Sequence, residues 1–326
     1  MQFETYRKIS GIARQNAMPI IGVNGSFIAY LIGYMGVNPL PAHYYCTNCG
    51  KWECNKDYNK WGIDLPPKTC FCGHTMISMG IGIPFDCVWG KDRQKQEQDF
   101  TIRTVTSLIP FAEKIVCDTL GSDCKINLYH EILPSKTLEV LYECQNQIGI
   151  NAAEIKLSEL TGLNYQSLSS ISTICDEFPW INAIKPLTKR EISRVFSAVH
   201  STIVGITTVE SESDSVKAIT KMFESDTFKK YPFIEREDIY IYLTENGVSS
   251  TDALKAYINF YSNSFSEILT KYSFKKDFYK AVNQCRNLFP RYFNAAMVYH
   301  YFLLAKYAEL DNNLFDKIVK KTFKNL

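Results

Sequence analysis

Three observations predict an α+β, mainly helical fold. Two close cysteine pairs lie among turn residues between Cys46 and Cys72, Pro39 and Pro41 forbid helix just before them, and helical spacing dominates after about residue 100. The 326 residues suffice for two or three packed units, and 46% hydrophobic with 21% charged residues is the profile of an ordered globular chain. A net charge of +2 excludes a global pull toward nucleic acid, so any such contact must come from local patches.

Residues 1–45 read as a short polar helix, a Gly-rich turn, a wholly buried helix over Phe27–Met35 and an extended segment through Pro39 and Pro41. The stretch from Ala17 to Val37 is uncharged and long enough to cross a bilayer. However, Pro19, Gly22, Asn24, Gly25 and Ser26 break its first half. The remaining apolar helix covers only about half a bilayer at roughly 1.5 Å per residue, so no membrane partner is expected. Residues 46–90 form a cysteine module with an exit segment (81–90) of short strands or loops. Helices follow over 133–149, with Leu138, Leu141 and Cys144 on one face and Gly149 as the stop. A helix–turn–helix pair covers 238–247 and 251–265; Gly247 closes the first helix and Ser249 or Ser250 caps the second. A long apolar helix enters through Pro290 over 289–310, its aromatic residues reading as core, and the acidic serine-rich run 210–215 is the linker candidate. No repeat of 20–50 residues occurs.

Cys46 and Cys49 are separated by two residues, Cys70 and Cys72 by one. Four thiolates in two pairs fill the tetrahedral shell of one zinc ion and leave no position for water, so the site is expected to be structural. Cys54 and His74 lie close enough in sequence to substitute for one of them. Eleven cysteines, an odd number with seven outside the pairs, and no leader-like opening favour a reducing, cytoplasmic setting. The five histidines are dispersed and suggest no catalytic base.

The run VNGSFIAYLIGYMGVNPLPAHYYCTNCG (23–50), with DLPPKTCFCG (64–73) and IPFDCVWG (83–90), resembles the PolC-type replicative polymerases of Gram-positive bacteria, in the C family of DNA polymerase III alpha subunits. Stretches 125–141, 235–257 and 286–307 resemble later motifs of that family in the same order. The resemblance implies a palm-like turn and helix (1–45), a zinc module (46–90), a shortened palm remnant (91–135) and a helical fingers-like region (136–326).

Nucleotidyl transfer needs carboxylates that hold two divalent ions, magnesium in an active member. Allowing a gap of one residue, Glu97 and Asp99 fall on the family's paired aspartates, and Asp118 is the nearest third acid. A polar KDRQKQEQ run precedes Asp99, and fewer than twenty residues separate it from Asp118. In the phosphate-binding turn, which retains Ser26, an isoleucine replaces the family's arginine; in the fingers motif Phe293 replaces histidine while Arg291 keeps a charge. Lys275, Lys276, Lys280, Arg286 and Arg291 form a candidate phosphate-facing patch. These features predict a catalytically impaired PolC-like protein that binds primer–template DNA or replisome proteins, of phage or mobile-element origin, and that modulates a host polymerase. A reduced but active polymerase and a zinc-stabilised protein-interaction module are the alternatives.

Overall fold

The computed structural model describes residues 2–55, 61–92, 101–120, 132–152, 155, 224–259, 263–284 and 290–324. Helix α1 (Gln2–Gln15) buries Tyr6, Ile9 and Ala13, spaced as one helical face, against α4 (Ile109–Leu120). Strand β1 (Ile20–Val23) pairs antiparallel with β5 (Thr101–Thr104), which pairs parallel with β6 (Ile132–Pro134). Gly22 in β1 is required by close approach: a Cβ there would lie 2.1 Å from the Tyr34 carbonyl oxygen. Tyr34 also donates its hydroxyl to the Thr101 carbonyl at 2.8 Å, tying the turn after β1 to the central strand.

The wholly buried helix expected over Phe27–Met35 is corrected. Helix α2 (Phe27–Leu31) has five residues, with Ala29 buried but Phe27, Ile28 and Leu31 exposed. Gly33, at φ +73°, turns the chain so that Tyr34, Met35 and Val37 reach the core without helix. The extended reading through the prolines holds: it leads into β2 (His43–Tyr45), which lies between β3 (Trp52–Cys54) and β4 (Ile77–Met79) in an antiparallel sheet. The exit segment is not a strand. Pro84 caps a short helix α3 (Phe85–Trp89), and Gly90 at φ +77° ends it.

Helix α5 (Lys136–Ile148) buries Leu138, Leu141 and Cys144 as expected and stops at left-handed Gly149. The later helices are α6 (Asp226–Lys230), α7 (Arg236–Glu245), α8 (Ser250–Ile258), α9 (Asn263–Lys271), α10 (Lys276–Gln284), α11 (Arg291–Leu310) and α12 (Asn312–Lys324). The single helix expected over 251–265 is thus two. Ser249 caps the first through the Asp252 amide, and Asn259 ends it. The linker candidate 210–215 lies outside the described residues.

Three apolar clusters organise these elements. The largest joins α1, the β1–β5–β6 sheet, α4 and α5 with α11 and α12. Phe302, Leu303, Leu304 and Tyr307 of α11 are buried in it, each worth roughly 1.5–3 kcal/mol of apolar transfer before entropy is counted. The second cluster joins α7, α8, α9 and α10 with Cys87 of α3, and the third is the small cysteine module. Among the described residues, the helices from α5 onward therefore divide between two cores. Among the described residues, no helix is long and apolar enough to cross a membrane.

Candidate metal centre and the buried arginine cluster

Two turns bring the cysteines together. In the first, the Gly50 amide donates to the Cys46 carbonyl at 2.9 Å; in the second, the Gly73 amide donates to the Cys70 carbonyl at 2.9 Å. Gly50 (φ +72°) and Gly73 (φ +85°) both adopt the left-handed backbone that lets the chain double back behind the thiols. The second turn does the same work with one residue fewer, because its hydrogen bond closes a shorter loop. The sheet carries the first turn between β2 and β3, while the second precedes β4.

The Sγ atoms of Cys46, Cys49, Cys70 and Cys72 all lie within 4.8 Å of one another, and the pairs Cys46–Cys72 and Cys49–Cys70 are 3.5 Å apart. Ligands at the zinc–sulfur distance of about 2.3 Å on a tetrahedron stand about 3.8 Å apart, so the four thiols can hold a metal such as zinc. Their protonation is divided. The His74 backbone amide leads the groups that hold Cys72 down at about 5. The Lys51 backbone amide would lower Cys49, but desolvation and hydrogen bonds with Cys70, Cys46 and Cys72 push it up to about 12. Four thiolates at this spacing repel unless a cation sits among them. Cys54 is exposed, donates toward the Asn55 carbonyl and stays outside the group. His74 places Nδ1 3.7 Å from Cys72 Sγ, beside the cluster, and that contact raises its pKa.

Arg291 is elsewhere from where a phosphate-facing patch would put it. Its side chain is wholly buried. Nε donates to Glu235 at 2.6 Å, Nη2 to Asp238 at 2.7 Å, and Nη1 to the carbonyls of Ile81 and Gly82 at 3.2 and 2.7 Å. Its backbone amide, at the start of α11, donates to Glu237 at 2.7 Å. A charge set in the interior this way is spent on internal partners and is withheld from solvent-borne phosphate. Burial alone would lower the Arg291 pKa; Glu235, Asp238 and Glu237 outweigh it and keep the guanidinium charged. Glu237 faces Arg291, Glu235, the Tyr257 hydroxyl at 3.1 Å and the Cys87 thiol, and burial pushes it up to about 7. The three acids open α7, where Glu235 and Asp238 form a reciprocal cap. Sequence reasoning missed the cluster. Its only local signal was the acid-rich run Glu235–Asp238 and a basic residue after Pro290, separated by more than fifty positions.

The remaining candidates are dispersed. Ser26 is buried and uses its hydroxyl to accept from the Ala29 amide as the cap of α2. Lys275 and Lys276 are exposed at the start of α10, and Lys280 lies on the same helix. Asp118 is exposed near the end of α4. Glu97, Asp99 and Arg286 lie outside the described residues.

Fold and site together define an α+β protein with a four-cysteine module that could hold a metal ion, a small mixed sheet and a helical unit. Comparison with known proteins places that class: part of the chain is similar to PolC-type DNA polymerase III. It is 36% identical over 103 residues to the protein of Lactococcus lactis subsp. lactis strain IL1403, covering 31% of this chain and 6% of that polymerase. It is 44% identical over 70 residues to the protein of Staphylococcus aureus strain MW2, covering 21% and 5% respectively. The resemblance carried by the motifs is thus confirmed for a PolC-like fragment, and the match spans only a small part of these relatives' length. No family model matches the chain.

Proposed function

We propose that this chain is a DNA-replication protein that binds primer–template DNA, or replisome proteins, on a PolC-like scaffold without polymerase activity of its own. The carrying observation is the combination of PolC similarity with polar groups committed to structure: Arg291 is consumed by buried acids and Ser26 by a helix cap. Asp118 stands exposed near the end of α4. The four-cysteine module takes zinc in this reading, as a structural ion coupled to folding. Such a protein works in the cytoplasm, where replication partners are found.

The test measures binding of labelled primer–template across a salt series, together with primer extension in magnesium or manganese. Salt-sensitive binding without extension is the expected result. Extension that disappears in Asp99→Ala would establish the active-enzyme alternative instead. Absence of DNA binding, with no replisome protein recovered by pull-down from a Gram-positive lysate, would overturn the reading. A zinc-stabilised module for another protein partner would then remain.

A further inference from the structure

Arg103 occupies the central strand β5, opposite Ile21 on β1 and beside Leu133 on β6. Its strand neighbours Ile102 and Thr104 point into the fully buried face, while Arg103 and Thr101 share the half-buried one. The guanidinium carbon stands 5.6 Å from the ring centroid of Phe293 on α11, so an aromatic face backs the charge. Yet Nε is buried with no hydrogen-bond partner, and Arg103 forms no ion pair among the described residues. The contrast with Arg291 is direct: that guanidinium meets two carboxylates and two carbonyls.

A buried donor left unmade opposes folding, while the residue as a whole is only partly buried, so its side chain still reaches solvent. A planar, ring-backed fork of donors suits a tetrahedral oxyanion. We propose that Arg103 is an anion-binding residue that takes a phosphate oxygen directly, with no bridging cation. The choice of phosphate over other oxyanions rests on the function proposed above. The phosphate belongs either to a DNA backbone or to a free nucleoside triphosphate.

Full-length protein is compared with Arg103→Met, which keeps the apolar stem, and Arg103→Lys, which keeps the charge. Binding of a labelled primer–template and of dATP is measured in magnesium-free buffer without chelator, and melting temperature is recorded without either probe. Arg103→Met should weaken one probe by about tenfold or more, and for DNA should reduce the salt slope by about one. Its melting temperature should equal or exceed the parent's, because an unmet donor has been removed; Arg103→Lys should restore part of the binding. Loss confined to DNA assigns the backbone, and loss confined to dATP assigns the triphosphate.

Unchanged affinity for both probes overturns the proposal. So does a drop in melting temperature with an unchanged salt slope and unchanged dATP binding, which marks a packing residue. Parent protein that binds dATP through Arg103 but no DNA would sink the DNA-binding function and leave this site standing. DNA binding indifferent to Arg103→Met would do the reverse, and binding of neither probe removes both.

Discussion

The cysteine module and the Arg291 cluster solve the same problem, crowded polar groups away from water, by opposite routes. In the module, four thiols gather from two short turns within 27 positions of chain, and as thiolates they would repel one another unless a cation sat among them. In the cluster, the cation is part of the chain: Arg291 joins acids more than fifty residues upstream and carbonyls more than two hundred residues upstream. One device is local and conditional on a ligand. The other is long-range and self-contained, and it fastens the start of α11 to both α7 and the segment before α3.

Metal removal should give the largest effect. Structural zinc contributes on the order of 10 kcal/mol to small modules of this kind, so a chelator or Cys46→Ser should unfold residues 46–79 while α7 to α10, which have their own core, persist. Circular dichroism and limited proteolysis with and without chelator would check this; unchanged protease resistance in the module would break the comparison from its conditional side.

Arg291→Met comes next. Removing the cation leaves Glu235, Glu237 and Asp238 buried together, and breaking a buried pair costs about 3–5 kcal/mol. Denaturant unfolding measures it, and a loss below about 1 kcal/mol would show that the cluster does not hold the two regions together.

Glu237 sharpens the same comparison through pH. Its folded-state value is raised to about 7 from 4.5, so its contribution is complete below 4.5 and is lost as pH rises through 7. Melting temperature should fall between about pH 4.5 and pH 7 in the parent and level off above that, and Glu237→Gln should flatten that fall by on the order of 3 kcal/mol at most. A parallel pH profile in the variant would place the titration elsewhere.

The smallest effect is a local control. Ser249→Ala removes the cap that accepts from the Asp252 amide and should cost about 1 kcal/mol by denaturant unfolding, with no change in metal content.

The residues that were legible in the sequence were those whose partners are near in the chain. Cys46, Cys49, Cys70 and Cys72 announced themselves by spacing, Gly149 and Gly247 by their place after apolar periodicity, and Ser249 by preceding a helix. The stretch Phe27–Met35 was misread because apolar composition alone does not separate a helix from a chain that turns at Gly33 and enters the core irregularly. The break at Asn259 was missed for a similar reason, since two short helices carry the same pattern as one long one.

Sequence alone determined the α+β class, the four-thiol group and the likeness to PolC, because each rests on spacing or on strings that survive without knowledge of distant neighbours. Tertiary structure alone decided what each arginine does. Arg291 and Arg103 carry the same charge, but packing surrounds one with acids and backs the other with a ring, leaving its Nε without a partner. A side chain's charge is fixed by its chemistry, whereas its solvation and partners are fixed only when remote segments meet.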